Sequence, residues 1–421
     1  MRLLKLKRFW LLIIIVTGYI ALLSCGATNI ILKTAPSRPA ERIASPAIIA
    51  AELAEWTAQK EKFDTALQRD VYGIIPEAAK IISIEKKALS PNIYSGQARA
   101  ENWTISIEIY REDGQKSSAK FDLAMILPKS EASVPVISAQ TFCPNHISLP
   151  NLGLEPVGQS FCDGDGFGAN LMLNVFGRYI ATPPIEDILD RGYGIAVMYP
   201  SEIIPDQAIA GRAAITRLFG TSSLGNNHNA SVISGWAYIW AAAAQALSDD
   251  IDIDANRIAT FGHSRYGKSA LLTGLWSPHI SAIISHQSGT GGASLNREKK
   301  GETVTQITNS YPHWFAPSYI KYDNDIELEV DQHHLLALLA PKPVLLGNAR
   351  RDVWSDPEGA FHAAIAADKI YELYGKNGLT VDRLNKFDPK AELSFWMRNG
   401  THGIVKEDWP AFLDFLDAHF K

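Results

Sequence analysis

The chain has 421 residues, of which 46% are hydrophobic and 20% are charged, and 40 basic against 45 acidic residues give a formal net charge of −5. This apolar content is enough for a buried core and excludes an intrinsically disordered chain. The lack of a basic excess argues against binding to the phosphate backbone of nucleic acid. We therefore expect a globular protein without a nucleic-acid partner.

The first 25 residues have the layout of an export signal. Four cations lie between Met1 and Arg8, and an apolar run of fifteen residues, Phe9–Leu23, follows them. Because a spanning helix needs about 20 apolar residues, the run predicts a cleaved signal peptide rather than a permanent membrane span. Leu22–Cys25 also resembles a bacterial lipobox, which would make Cys25 the lipidated first residue of the mature chain. An ordinary signal peptide that contains a cysteine is the alternative.

This pattern predicts three segments: a signal peptide over 1–25, a tether over 26–45 and one folded domain over 46–421. We expect the protein to be exported to the periplasm or the cell surface, with the N-terminal lipid anchor as its only membrane contact. The mature domain contains two cysteines, Cys143 and Cys162. In an oxidising compartment they could form a disulfide, and two unpaired thiols are the alternative, since spacing alone does not fix pairing.

Along the chain, helical spacing over Ile48–Val71 ends in a turn rich in Gly and Pro that reaches Pro76. Two alternating stretches, Trp103–Tyr110 and Lys120–Leu127, predict an antiparallel hairpin. The next six predicted strands are short apolar runs: Val134–Ser138, Gly194–Tyr199, Arg257–Phe261, Ala282–His286, Pro343–Gly347 and Leu393–Met397. Helix-length segments separate several of these runs, so we expect a mixed, mostly parallel sheet that is covered on both faces. Gly235–Leu247 is apolar nearly all round and predicts a buried structural helix rather than a cleft wall.

The segment from Arg257 to Trp276 has the outline of a nucleophile elbow: a strand, a tight turn and a helix. The turn places Ser264 between Gly262 and Gly267, where its hydroxyl would be exposed at the carboxyl edge of the sheet. The backbone N–H of the next residue would then face a developing oxyanion. The usual G-x-S-x-G pattern is not kept, because Tyr266 stands where its second glycine belongs. A serine that only caps a helix is the alternative.

The partners of such a serine follow it in the order acid, then histidine. Asp352 comes shortly after one predicted strand, and His402 follows the last predicted strand and precedes a helix over Lys406–Phe420. Asp356 is a rival for the acid, but its position before Pro357 is more typical of a cap or turn. We therefore predict an α/β-hydrolase fold, a three-layer sandwich in which Ser264, His402 and Asp352 meet at one sheet edge.

The heptapeptide Gly262–Lys268 resembles the G-x-S-R-x-G-K signature of glucuronoyl esterases, carbohydrate esterase family fifteen. From Val71 onwards, further blocks resemble that family in the same order: Gln287–Gly292, Gly301-Glu302, Pro312–Phe315, Asp331–His333, Ala340–Pro343 and Asp352–Pro357. The resemblance implies an enzyme that cleaves the ester between a 4-O-methyl-glucuronic acid branch of xylan and a lignin alcohol. It implies Ser264 as nucleophile, His402 as base and the Arg265 guanidinium as an additional oxyanion stabiliser. It implies sugar contacts from three residues: Lys268, Glu302 and Trp354.

Gln287 departs from the family pattern, because many members carry a catalytic glutamate at this position. An amide cannot supply the negative charge that stabilises an imidazolium, so we assign the acid to Asp352 and place Gln287 among the substrate-binding residues. No cofactor or metal is expected, since His333-His334 lacks the H-E-x-x-H spacing of a zinc site. The expected partner is an ester of a plant cell-wall polysaccharide. Two alternatives stay open: a deacetylase acting on acetylxylan or another small ester, and a non-catalytic carbohydrate-binding surface lipoprotein.

Overall fold

A computed structural model describes residues 45–157, 162, 173, 175–297, 299–323 and 329–421. The predicted signal peptide, Cys25 and the tether up to residue 44 lie outside these residues. Within the described ranges, no helix has both the length and the hydropathy that crossing a membrane requires.

The centre of the described structure is a nine-stranded sheet with the order β1-β2-β3-β5-β4-β6-β7-β8-β9. Its strands are β1 (Lys80–Ile93), β2 (Ala98–Tyr110), β3 (Lys116–Pro128), β4 (Val134–Gln140), β5 (Gly194–Met198), β6 (Ile253–His263), β7 (Ala282–His286), β8 (Val344–Ala349) and β9 (Leu393–Arg398). The pairs from β1 to β3 and from β3 to β5 are antiparallel. Every pair from β5 to β9 is parallel, so the predicted mixed, mostly parallel sheet is confirmed.

Ten α-helices are present among the described residues. They are α1 (Leu53–Leu67), α2 (Asn145–Ser148), α3 (Ile185–Asp190), α4 (Ala208–Phe219), α5 (Val232–Ser248), α6 (Arg265–Trp276), α7 (Val304–Ser310), α8 (Gln332–Leu339), α9 (Pro357–Leu373) and α10 (Asp408–Phe420). Ser285 of β7 donates to a carbonyl of α6, whereas the ring of the next residue, His286, packs on Phe412 of α10. Because neighbouring residues of a strand point to opposite faces, α6 and α10 cover opposite faces of the sheet. This arrangement is the three-layer sandwich of an α/β-hydrolase.

Helix α5 is the central buried helix that the sequence predicts. The indole nitrogens of Trp236 and Trp240 donate to the carbonyl of Ile204 and the hydroxyl of Ser138, at 2.9 and 2.8 Å. Both indoles are fully buried. Pairing their N–H groups avoids the cost of an unsatisfied donor in the core, so α5 is a buried structural helix.

Two elements differ from the sequence expectation at the start of the domain. The predicted helix over Ile48–Val71 begins later, at Leu53, and its last turn over Gln68–Tyr72 widens into a π-helix. The sequence does not predict strand β1, because its residues alternate poorly: it lies at the edge of the sheet, pairs with β2 alone, and each of its side chains is exposed or half-buried. Edge strands of this kind carry little hydrophobic pattern.

Cys143 and Cys162 form a disulfide with a Cα–Cα distance of 5.6 Å. The bond decides between the two alternatives left open by the sequence. Cys143 follows β4 closely, and the residue before it, Phe142, lines the cavity described below. The disulfide therefore joins the chain beside this cavity wall to Cys162.

Candidate active site

Ser264 occupies the sharp turn between β6 and α6, with φ 56° and ψ −120°. This backbone conformation is strained for a residue with a side chain and is typical of functional turns. The N–H of Ser264 donates to the carbonyl of His286 at 2.8 Å, which ties the turn to the end of β7. The N–H of Arg265 begins α6 and so has no carbonyl partner within the helix.

The two glycines on either side of Ser264 make this turn possible. A Cβ on Gly262 would lie 2.0 Å from the carbonyl oxygen of Tyr266, and one on Gly267 would lie 3.1 Å from the carbonyl of Gly262. Tyr266, in the place of the usual glycine, points away into the core and packs edge-on against Phe142 with ring centroids 4.7 Å apart. The shifted glycine spacing is therefore compatible with the elbow.

His402 and Asp352 are joined by a hydrogen bond. Nδ1 of His402 lies 2.7 Å from Oδ2 of Asp352. A carboxylate can only accept, so Nδ1 carries the hydrogen and Nε2 is left to accept a proton. Ser264 and His402 line the same cavity. The ring of His402 lies 4.6 Å from that of His263, the residue before Ser264. The structure thus brings the three predicted residues to one sheet edge.

The carboxyl of Asp352 is buried and held in its charged form. Burial by itself would raise the pKa of Asp352, but the nearby charge of His402 and hydrogen bonds from His402 and Ser355 outweigh it and hold the pKa below its usual range. Asp356, the rival acid, caps α9: its Oδ1 accepts from the N–H of Gly359 at 3.0 Å. The geometry thus matches the sequence expectation of a capping residue at 356.

The loop that carries His402 is held by hydrogen bonds on both sides. Gln287 accepts from the N–H of Gly403 at 2.8 Å and donates to the carbonyl of Thr401 at 3.5 Å. The guanidinium of Arg398 also donates to the carbonyls of these two residues, at 2.8 Å to Gly403 and 3.1 Å to Thr401. Gln287 lines the cavity, as expected for a substrate-binding residue, but its amide is bonded to the histidine loop.

A buried network continues below that loop. Arg398 Nε lies 2.8 and 2.9 Å from the two carboxylate oxygens of Asp408, the first residue of α10. His286 packs between Asp408 and His263, with its Nδ1 3.1 Å from Nδ1 of His263. Burial is the main reason that the pKa of His263 lies well below its ordinary value, and neighbouring positive charges lower it further. His263 is therefore a neutral, structural neighbour of His402.

The cavity over this site has a volume of about 390 Å³. Lys268 extends into it from α6, one turn beyond Ser264, and is almost fully buried. Its ammonium donates to the carbonyls of Ser288 and Thr290, the latter at 2.7 Å. Burial lowers the pKa of Lys268 to about 7, against the opposing charge of Glu302. Lys268 is thus no solvated surface lysine but a buried polar group in the cavity wall.

Glu302 and Trp354 line the same cavity and are linked through their backbones. The N–H of Glu302 donates to the carbonyl of Trp354 at 2.9 Å. Their close approach requires a glycine at the preceding position, since a Cβ on Gly301 would lie 2.4 Å from the Trp354 carbonyl oxygen. The structure therefore gathers all the predicted sugar-contacting residues beside the predicted nucleophile.

Arg265 lies at the cavity wall, packed by aromatic rings. Its guanidinium is 4.9 Å from the ring centroid of Trp314 and 5.3 Å from that of Phe142, within the range of cation–π attraction. It also forms an ion pair with Asp206. Sequence reasoning found Arg265 but missed Asp206 and Arg398, because neither belongs to a motif. The partners of Asp206 also come from distant parts of the chain.

His333 and His334 are structural. His333 Nε2 lies 2.7 Å from the carbonyl of Pro46, and His334 accepts from the N–H of Asp331 at the start of α8. Among the residues that the structure describes, no group of three or more His, Cys, Asp or Glu side chains could hold a metal ion.

Comparison with known sequences places these features in a family. Residues 207–375 match a family model described as glucuronyl esterase, fungi. Carbohydrate esterase MZ0003, from an unknown prokaryotic organism, is 33% identical over 371 residues, which are 86% of this chain and 84% of that protein. The 4-O-methyl-glucuronoyl methylesterase 1 of Wolfiporia cocos is 31% identical over 196 residues, which are 43% of this chain and 47% of that protein.

Solved structures agree over nearly the whole domain. The glucuronoyl esterase from Solibacter usitatus has a TM-score of 0.75 and 28% identity, covering 91% of this chain and 100% of that one. A promiscuous CE15 esterase from a marine bacterial metagenome has a TM-score of 0.74 and 27% identity, covering 91% and 98%. The fold and its relatives define an α/β-hydrolase that acts as a carboxylic ester hydrolase. Within that class, the chain belongs to the glucuronoyl esterases, carbohydrate esterase family 15.

Proposed function

We propose that the protein hydrolyses esters of 4-O-methyl-glucuronic acid that link xylan branches to lignin alcohols. The observation that carries the proposal is one cavity that combines Ser264 and the bonded pair of His402 and Asp352 with the buried polar groups of Lys268 and Glu302. The first three supply ester chemistry, and the last two supply hydroxyl-binding groups. The names of the relatives from Wolfiporia cocos and Solibacter usitatus support this substrate class.

In the proposed reaction, Ser264 attacks the ester carbonyl while His402 Nε2 takes its proton, and Asp352 stabilises the imidazolium that forms. The N–H and guanidinium of Arg265 stabilise the tetrahedral oxyanion. His402 then returns the proton to the leaving alcohol. Water hydrolyses the acyl-enzyme in the second half of the reaction, with His402 again acting as the base.

For the sugar, we assign hydroxyl contacts to Lys268 and Glu302 and a flanking position to Trp354. A lysine whose pKa is lowered to about 7 can accept as well as donate a hydrogen bond near neutral pH, which suits a neutral polyhydroxyl ligand. Gln287 is assigned to the support of the His402 loop, since its amide contacts the backbone of the residues before and after His402.

The test is hydrolysis of benzyl glucuronate compared with p-nitrophenyl acetate. A glucuronoyl esterase should have the higher kcat/KM on the uronate ester, and Ser264→Ala should reduce both rates by several orders of magnitude. The second candidate, a deacetylase of acetylxylan or other small esters, is favoured by the marine relative, which is described as promiscuous. A clear preference for the acetate ester would support it instead. Membership of an esterase family argues against the non-catalytic alternative.

We further propose that the protein is exported and anchored by a lipid on Cys25, at the periplasmic side or the cell surface. The proposal rests on the cationic start, the apolar run and the lipobox-like Leu22–Cys25. In a bacterial host, the wild-type protein should incorporate radiolabelled palmitate and fractionate with membranes. Cys25→Ala should abolish both properties, and labelling that persists in this variant would show that the assignment is wrong.

A further inference from the structure

Asp206, which lies between β5 and α4, receives donors from three residues, of which Arg265 and Trp314 line the cavity. The guanidinium of Arg265 forms an ion pair with Oδ2. The ring nitrogens of His313 and Trp314, at 2.8 and 2.6 Å, donate to Oδ1. Burial, aided by the positive charges of Arg212 and Arg265, lowers the pKa of His313 to about 4, so its ring is neutral at neutral pH. Arg265 is thus the one charged donor among the three.

Arg265 and Trp314 line the cavity together with Ser264. Asp206 is not among the residues that line the cavity, but it contacts two side chains that do, Arg265 and Trp314. The Nε of Arg265 is buried and has no hydrogen-bond partner among the described residues. The guanidinium is thus fixed by its Asp206 contact and its two aromatic neighbours, while one of its donors is unused by the protein.

The proposed reaction changes the charge of the ligand beside this guanidinium. A neutral ester and water become a carboxylate, a proton and a neutral alcohol, because the acyl C–O bond breaks and a hydroxide equivalent is added to the acyl carbon. The new carboxylate forms where Ser264 attacked, next to Arg265. An unbalanced cation at that place would bind the acid product more tightly than the ester substrate.

We propose that Asp206 is a positioning residue that fixes Arg265 and Trp314 at the cavity wall and balances the guanidinium charge, so that the anionic acid product is released. The inference rests on the proposed function. It adds Asp206 to the site and explains why this residue is a charged aspartate. The pair of Arg265 and Asp206 is neutral overall, yet the guanidinium can still donate hydrogen bonds to an oxyanion. Two further cations line the cavity. Arg351 is exposed to solvent, and the lowered pKa of the buried Lys268 acts in the same direction as the balance by Asp206.

The test is Asp206→Asn, which removes the charge but keeps an oxygen that can accept from His313 or Trp314. We expect the inhibition constant of glucuronate for benzyl glucuronate hydrolysis to fall about five- to tenfold, the size of a partly exposed ion pair. The inhibition constant of the neutral glucuronamide should stay within about twofold. The difference should shrink as salt is added. A residue with only a structural role would change the affinities for both ligands alike.

The matched control is Asp254→Asn. Asp254 pairs with Arg257 at 2.8 Å and has similar exposure, but it lies near the start of β6, about 30 Å from the Ser264 end of that strand. This control should leave both inhibition constants at their wild-type values. Asp206→Asn combined with Arg265→Met should lose the tighter glucuronate binding, because the unbalanced cation is then gone. Unchanged or weaker glucuronate inhibition in Asp206→Asn would overturn the proposal.

The wild-type protein supplies a measurement that does not depend on the folding of any variant. Its inhibition by glucuronate and by glucuronamide should be similar, with little dependence on salt. Strong, salt-sensitive preference for the anion would contradict a balanced guanidinium. If wild-type protein fails to hydrolyse any glucuronate ester, the proposed function itself is wrong. If it hydrolyses the ester but Asp206→Asn does not tighten glucuronate inhibition, only the role of Asp206 is wrong.

Discussion

At the scale of single residues, Asp352 and Gln287 both support His402 but carry different chemical groups. Asp352 accepts from the imidazole itself, whereas Gln287 bonds only to the backbone beside it. We expect Asp352→Asn to lower kcat on benzyl glucuronate about 10³- to 10⁴-fold, because an amide favours the wrong tautomer and cannot stabilise imidazolium. Gln287→Ala should cost only about tenfold, the value of its hydrogen bonds. Comparable losses would show that the acid is assigned to the wrong residue.

Asp356→Asn is the matched control for this comparison. The substitution is the same, four residues further along the chain, but the carboxylate of Asp356 caps α9 and accepts from the N–H groups of Gly359 and Lys300. Asparagine caps a helix about as well as aspartate, but it cannot keep the buried ion pair with Lys299. Any loss should therefore appear in the free energy of unfolding and not in kcat.

The triad residues were predictable because each follows a strand and stands in a recognisable order, and because the stretch around Ser264 has a family signature. The sequence could not reveal what holds them. Asp206 contacts residues far away along the chain, such as Trp314, and Arg398 reaches across a loop to Asp408 at the start of α10. No local pattern encodes such contacts, since they form only when separate elements pack together.

At the scale of elements, the loop after β9 depends on the last residue of that strand. Arg398 donates to the carbonyls of Thr401 and Gly403 while its Nε binds Asp408. In Arg398→Lys the charge beside Asp408 is kept, but one ammonium cannot reach all three partners. We expect kcat to fall about 10- to 100-fold, since small displacements of a catalytic group are costly. KM should change little, because the predicted sugar contacts come from other elements.

Arg257→Lys serves as the control for this variant, since Arg257 also pairs with an aspartate but lies nearer the opposite end of β6. A fall in thermal stability of Arg398→Lys without any change in kcat would mean that the Arg398 contacts are merely structural. The element pattern explains why this region was partly predictable: β9 is largely buried and apolar, whereas the loop beyond it has no periodicity.

At the scale of the whole molecule, the parallel half of the sheet was predictable because strands covered on both faces appear as short apolar runs. The exposed edge strand β1 was not, since its side chains are exposed or half-buried and it pairs on one side alone. The sequence does not decide whether Cys143 and Cys162 pair, because pairing is a property of the folded chain and not of the spacing.

The disulfide gives a prediction about global stability. Replacing Cys143 and Cys162 together by Ser should lower the free energy of unfolding by about 3 kcal/mol, because the unfolded chain regains the freedom of a closed loop of about 20 residues. Urea denaturation of the oxidised protein and of the double variant measures this difference. Reduced wild-type protein should unfold like the variant. Equal stability of the oxidised protein and the variant would show that the bond contributes nothing to the fold.

The contact between Arg398 and Asp408 has a consequence for the order of events during synthesis. The serine elbow and its helix are encoded more than a hundred residues before Asp408, so a nascent polypeptide holds its nucleophile long before the support of its base has been translated. A ribosome-bound chain that stops short of residue 408 should therefore remain inert toward fluorophosphonate reagents, and reactivity should arise only when α10 docks.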